Sequence, residues 1–165
     1  MINPLKVNGQ ADIIKLTGAI LFTLAVGFTS SLFTINAIEI YKNLEQPAFA
    51  PPGWVFGPVW TLLYILMGLA AYRIWMHGWE RSDVRSALLF YLVQLGFNFS
   101  WSLLFFWLGL RGIALIEIIA LWVLISITML QFRKIDTTAF YLMIPYILWV
   151  SFATVLNYSV WMLNR

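Results

Sequence analysis

The chain has 165 residues, 62% hydrophobic and 18% aromatic, with only 10% charged and a net charge of +3. A soluble globular domain carries about a quarter charged residues, so this composition excludes one and points to an integral membrane protein. Zero cysteines exclude disulfides and thiolate metal sites.

A helix rising about 1.5 Å per residue needs roughly 20 apolar residues to cross the hydrocarbon core. Charge-free runs of that order lie at 16–35, 54–72, 86–110, 112–132 and 137–164, with Glu117 the only charge inside them. Helices are expected over approximately 16–35, 54–76, 86–110, 112–132 and 137–162. Strands of a β-barrel would instead alternate apolar and polar residues over about ten positions. The expected fold class is an all-α membrane protein, one five-helix bundle over residues 1–165 with a proline-rich first loop as its lid.

The first run starts too late and is too long for a signal peptide, and no A-x-A site follows it, so it is read as a retained helix. Gly18, Ala25 and Gly27 within it, and Gly96 in the third run, are small enough for close helix contacts. Ser30 and Ser31 are read as satisfying backbone or packing this helix.

The connection that follows contains EQPAFAPPGWVFGPVW, residues 45–60, with four of the six prolines. Pro51 and Pro52 suit a helix start, where the missing N–H costs nothing, so the second helix is expected to begin near Pro52. Residues 36–53 then form a stiff connection able to close one mouth of the bundle. The alternative is a purely structural, rigid helix entry.

Counted from that mouth, Trp60 lies about 9 Å deep on the second helix, Trp101 about 13 Å on the third, and Ala153 and Trp149 about 12 and 18 Å on the fifth. Trp60, Tyr64, Met67 and Ala71 form one stripe, Asn98, Trp101 and Phe105 a second, and Tyr146, Trp149 and Ala153 a third, at spacings of three or four. Three aromatic faces are therefore expected to converge beneath the loop, with Ala153 leaving room for a flat ligand. Trp and Tyr also mark membrane interfaces, and aromatic stripes commonly just pack. Trp54, Trp75, Trp79, Trp107 and Trp161, near helix ends, are read as belt residues; Trp60, Trp101, Trp122 and Trp149 lie deeper.

Gln94, Asn98 and Asn157 are placed to hydrogen-bond between helices or to orient a ligand. Glu117 is a functional candidate by default as an intramembrane charge, although about 8 Å of depth lets it snorkel or stay hydrated. Pro145 is expected to bend the fifth helix and free a carbonyl. His77, the only histidine, falls in the second loop with Arg73 and Arg81, away from the aromatic faces. No carboxylate pair, metal-ligand cluster, Walker loop or dinucleotide fingerprint is present, so hydrolysis and phosphoryl transfer are not expected. Nor is a metal, a cofactor or a nucleic-acid partner.

Five crossings put Lys6, Lys15, Arg73, Arg81, Arg85, Arg133 and Lys134 on one side and only Lys42, Arg111 and Arg165 on the other. The positive-inside rule then makes the amino terminus cytoplasmic in a bacterial cell membrane, with the proline-rich loop facing outward. Lys42 and Arg111 are the cations on the loop's side, where ligand carboxylates would need them.

The blocks QPAFAPPGWVFGPVWTLLYILMGLAAYRIW, QLGFNFSWSLLFF and PYILWVSFATVLNYSVW, in this order, resemble the translocator protein or tryptophan-rich sensory protein family (TspO/MBR, which includes the peripheral-type benzodiazepine receptor). By length and helix count the resemblance covers the chain from about Leu16 onward. It implies five helices, a first loop closing the pocket, a homodimer, and binding of porphyrins such as protoporphyrin IX, of isoquinoline and benzodiazepine drugs and, in mitochondrial members, of cholesterol. Carried over by motif, the pocket would be lined by Pro51, Trp60, Tyr64, Asn98, Trp101, Phe105, Trp149 and Ala153. Trp60 and Trp149 would be the redox pair if the protein degrades protoporphyrin IX in light and oxygen. Transport, tetrapyrrole- or stress-related regulation, enzymatic degradation, and sterol or lipid transport or sensing are all proposed within the family. The carboxyl-terminal sterol motif is missed by one residue, since six residues separate Tyr158 from Arg165. Glu117 stands where the family often has aspartate.

Overall fold

A computed structural model describes residues 5–7 and 9–165. Among these, α1 is Ile13–Phe33, α2 Ala37–Asn43, α3 Phe56–Trp75, α4 Ser82–Ser102, α5 Arg111–Ile135, α6 Thr137–Leu142 and α7 Ile144–Leu163. Five stretches are long and apolar enough to cross a membrane: Ile13–Phe33, Gly53–Trp75, Ser82–Trp107, Arg111–Ile135 and Thr137–Leu163. The protein is an integral, multi-pass five-helix membrane bundle.

Local chemistry sets the ends. Asp12 caps α1 by accepting from the Lys15 amide at 3.0 Å. A single 3-10 turn, Gly53–Val55, separates Pro52 from α3, so that helix starts at Phe56 rather than near Pro52. Pro58 falls in its first turn, where an amide has no intrahelical acceptor to lose. Pro145 does more than bend the last span. It sits in the first turn of α7, and the chain breaks at Met143 into α6 and α7. The connection expected over residues 36–53 contains a helix of its own, α2, which its mixed polarity hid.

In lipid, helices gain little from apolar burial alone; close packing and interhelical hydrogen bonds hold them. A Cβ on Gly68 of α3 would stand 2.7 Å from Ile20 Cα, and one on Gly27 of α1 would run into the Tyr64 ring. Those glycines set the α1–α3 approach. Gly18 and Gly96, also expected at close contacts, face open space.

Hydrogen bonds fix which ends share a side. Tyr72 Oη donates to the Leu5 carbonyl and accepts from the Asp12 amide, both at 3.1 Å. Arg73 reaches the Lys6 carbonyl at 3.1 Å and grips Asp136 through Nε at 3.1 Å and Nη2 at 2.8 Å. His77 Nε2 lies 3.1 Å from Asp136 Oδ2. The amino-terminal segment, the end of α3 and the α5–α6 junction thus meet at one end. At the other, the Asn164 side chain both accepts from the Glu45 amide and donates to the Glu45 carbonyl, each at 2.9 Å, joining the first loop to the carboxyl terminus.

Candidate functional site

α3, α4 and α7 each contribute one aromatic or amide stripe to the interior nearer the loop. A relay of hydrogen bonds crosses all three. Tyr64 Oη donates to Asn98 Oδ1 at 2.7 Å, Asn98 Nδ2 donates to Tyr146 Oη at 3.0 Å, and Tyr146 Oη donates to Gln94 Oε1 at 2.8 Å. Gln94 Nε2 ends the relay buried and without a hydrogen-bond partner among the described residues. An unpaired buried donor costs about 1–3 kcal/mol, so its presence calls for a use.

Trp60 and Tyr64, one turn apart on α3, stack at 5.5 Å, and Trp60 meets Tyr146 edge-on at 6.2 Å. One turn toward the loop, Phe56 meets Trp149 edge-on at 5.8 Å. The pairs Trp60–Tyr146 and Phe56–Trp149 are successive rungs of a single α3–α7 seam. Trp149 also leans on Phe152 at 5.5 Å, which in turn touches Phe49 of the loop at 6.3 Å. Its Nε1 is buried without a hydrogen-bond partner among the described residues. Ala153, one turn further along α7, is buried.

On the α4 side, Trp101 donates from Nε1 to Asn157 Oδ1 at 3.1 Å, and Asn157 Nδ2 donates to the Arg111 carbonyl at 3.0 Å. Trp101 stacks on Phe105 at 5.2 Å. Phe105 sits in a π-helical turn, Leu103–Trp107, closed by the Leu108 amide on the Leu103 carbonyl at 2.9 Å. Such a turn adds a residue to the helix and re-aims the ring. Trp101 packs against both hydrophobic clusters, one centred on α3, α4, α5 and α7, the other on Tyr41, Phe105 and the end of α7.

The loop lies over this seam. Tyr41 of α2 donates its hydroxyl to the Pro51 carbonyl at 3.1 Å and meets Phe56 edge-on at 5.2 Å; burial raises its phenol pKa. Lys42 is exposed and lines a cavity of about 290 Å³ with Ile38, Tyr41, Gln46, Pro52, Gly53 and Trp54. Arg111 is half-buried, its Nε enclosed without a partner among the described residues.

Trp60, Tyr64, Trp101, Phe105, Trp149 and Ala153 fall in these interior clusters, Asn98 in the relay, and Pro51 in the loop, where its carbonyl accepts from Tyr41. Trp122 is in none of these: it is 40% exposed on the outside of α5 and donates to Ser151 Oγ at 2.8 Å. Glu117 is half-buried on α5. Its Oε1 accepts from Ser100 Oγ at 2.8 Å, and its Oε2 is buried. Phe49, Phe56, Phe152 and Asn164 were not singled out from sequence. Phe56 lies one turn before Trp60 and Phe152 three residues after Trp149, a periodic signal that was available; Asn164 pairs with a residue 119 positions away and offered none.

A sequence model of the TspO/MBR family matches residues 19–162. The tryptophan-rich protein TspO of Archaeoglobus fulgidus is 41% identical, over 93% of this chain and 99% of that protein. The tryptophan-rich sensory protein of Cereibacter sphaeroides is 40% identical over 76% and 77%, and the translocator protein of Homo sapiens 34% identical over 87% and 88%.

Proposed function

We propose, since this chain belongs to the TspO/MBR family, that it binds a flat apolar ligand of the porphyrin type, protoporphyrin IX or a relative, between the α3–α7 seam and α4. The observation that carries this reading is the pair of buried donors, Trp149 Nε1 and Gln94 Nε2, left unsatisfied within a wall of aromatic rings. Aromatic faces suit a macrocycle, and unpaired donors suit its polar atoms or carboxylates. The rings now pack against one another, so entry requires the loop to lift, parting Phe49 from Phe152 and Glu45 from Asn164. Lys42 and Arg111 on the loop's side supply charge for propionates. The excess of cations at the Arg73 end makes that end the cytoplasmic one in a bacterial cell membrane.

A second reading, degradation of protoporphyrin IX in light with oxygen as the oxidant, is favoured by the position of Trp60 and Trp149 on opposite walls of one seam. One titration tests both. Protoporphyrin IX is added to purified protein in the dark and in light, with tryptophan fluorescence and porphyrin absorption followed together. Saturable quenching with stable bands is the expected result; light-dependent band loss at substoichiometric protein favours the enzyme, and quenching that never saturates overturns both readings.

A further inference from the structure

Away from the aromatic seam, a cavity of about 610 Å³ opens between α1, α3 and α4 at the Arg73 end of the bundle. α1 closes on α3 at Gly68 and reaches α4 through Thr23, while two small residues, Gly18 and Ala71, leave the space that a larger pair would fill. Its wall is almost wholly apolar. The polar pair within it, Thr23 Oγ1 and Tyr91 Oη, is mutually satisfied at 2.7 Å, so nothing inside asks for a polar guest. From Arg85 to Leu92 the groove follows α4 for about 10 Å, a third of the hydrocarbon thickness.

Its mouth is different. Arg85 lies there, exposed, held by Nη1 donating to the Trp79 and Glu80 carbonyls at 3.2 and 3.0 Å. Lys15 stands with its Nζ 5.6 Å from the centre of the Trp75 ring, which lines the same groove, and 3.7 Å from Asp12. Two cations thus flank the open end of an apolar slot that faces the membrane. We propose that this groove holds one acyl chain of an anionic phospholipid whose phosphate is received by Arg85 and Lys15. Arginine meets phosphate in a bidentate fork, and each cation near an anionic headgroup is worth about fivefold in affinity.

The full chain, exchanged into micelles containing equal phosphatidylglycerol and phosphatidylcholine and then delipidated, is analysed by native mass spectrometry for retained lipid. We expect one phosphatidylglycerol, preferred over phosphatidylcholine by about 5- to 25-fold. The double variant Lys15→Gln, Arg85→Gln should bring the two lipids to parity. Gly18→Leu, whose side chain enters open space, should release both. Equal retention of the two lipids by the unaltered protein overturns the proposal, as does Gly18→Leu retaining as much as the parent. A lipid-free dimer dispersed by Gly18→Leu would assign the groove to a second copy of the chain and equally overturn it. The exposed double variant carries the test alone if Gly18→Leu does not fold.

Discussion

Asp136 joins three segments with one carboxylate. It caps α6 by accepting from the Ala139 amide at 3.0 Å while holding Arg73 and His77. Burial alone would raise its pKa, yet the Arg73 guanidinium, the Ala139 amide and His77 hold it below the ordinary value of 3.8. Such a group stabilises the fold fully above that ordinary value and loses its contribution as pH falls toward the depressed one. The thermal midpoint in detergent should therefore be flat through neutrality and drop below about pH 4, with Asp136→Asn showing a shallower drop. At pH 7 Asp136→Asn leaves the Arg73 charge enclosed and should cost about 3 kcal/mol, read as a lower midpoint. A midpoint unchanged at pH 7 would contradict the clamp. Gly68→Ala tests packing in the same way. Its Cβ meets backbone rather than a movable side chain, so α1 and α3 must separate, at about 1–3 kcal/mol.

At the scale of elements, the loop and α7 form a latch. The two hydrogen bonds between Asn164 and the Glu45 backbone each contribute about 0.5–1.5 kcal/mol. Asn164→Ala should speed porphyrin release about tenfold in stopped-flow while leaving the midpoint within a few degrees; unchanged release would remove the loop from the binding step. Much of this scale was legible from sequence. Five apolar runs gave five crossings, because hydrocarbon admits little besides helices. What escaped were features whose cause lies in contact rather than pattern. α2 is seven residues of mixed polarity that pack through Tyr41, the π turn is a local insertion with no compositional mark, and Pro145 divides its helix where a bend was expected.

For the molecule as a whole, the aromatic stripes on α3, α4 and α7 were readable as periodicity, and their convergence follows from the order of the helices. The identity of the orphaned donors was not readable, since which amide and which indole lack partners depends on distances that only the fold sets. The two ends also divide the labour: the Arg73 end is pinned by ion pairs, whereas the loop end is closed by rings and the two hydrogen bonds of the Asn164 side chain to the Glu45 backbone. If ligand enters beneath the loop, Trp149→Phe should weaken protoporphyrin IX binding several-fold by removing one buried donor, measured by residual fluorescence quenching.

The location of the site is tested most directly by filling it. Ala153→Phe adds a ring at a buried position on α7 without altering either surface, and Gly18→Leu fills the distant membrane groove instead. In parallel protoporphyrin IX titrations of folded protein, Ala153→Phe should abolish saturable quenching and Gly18→Leu should leave it unchanged. Quenching that survives Ala153→Phe at full affinity would place the ligand somewhere other than the aromatic seam beneath the loop.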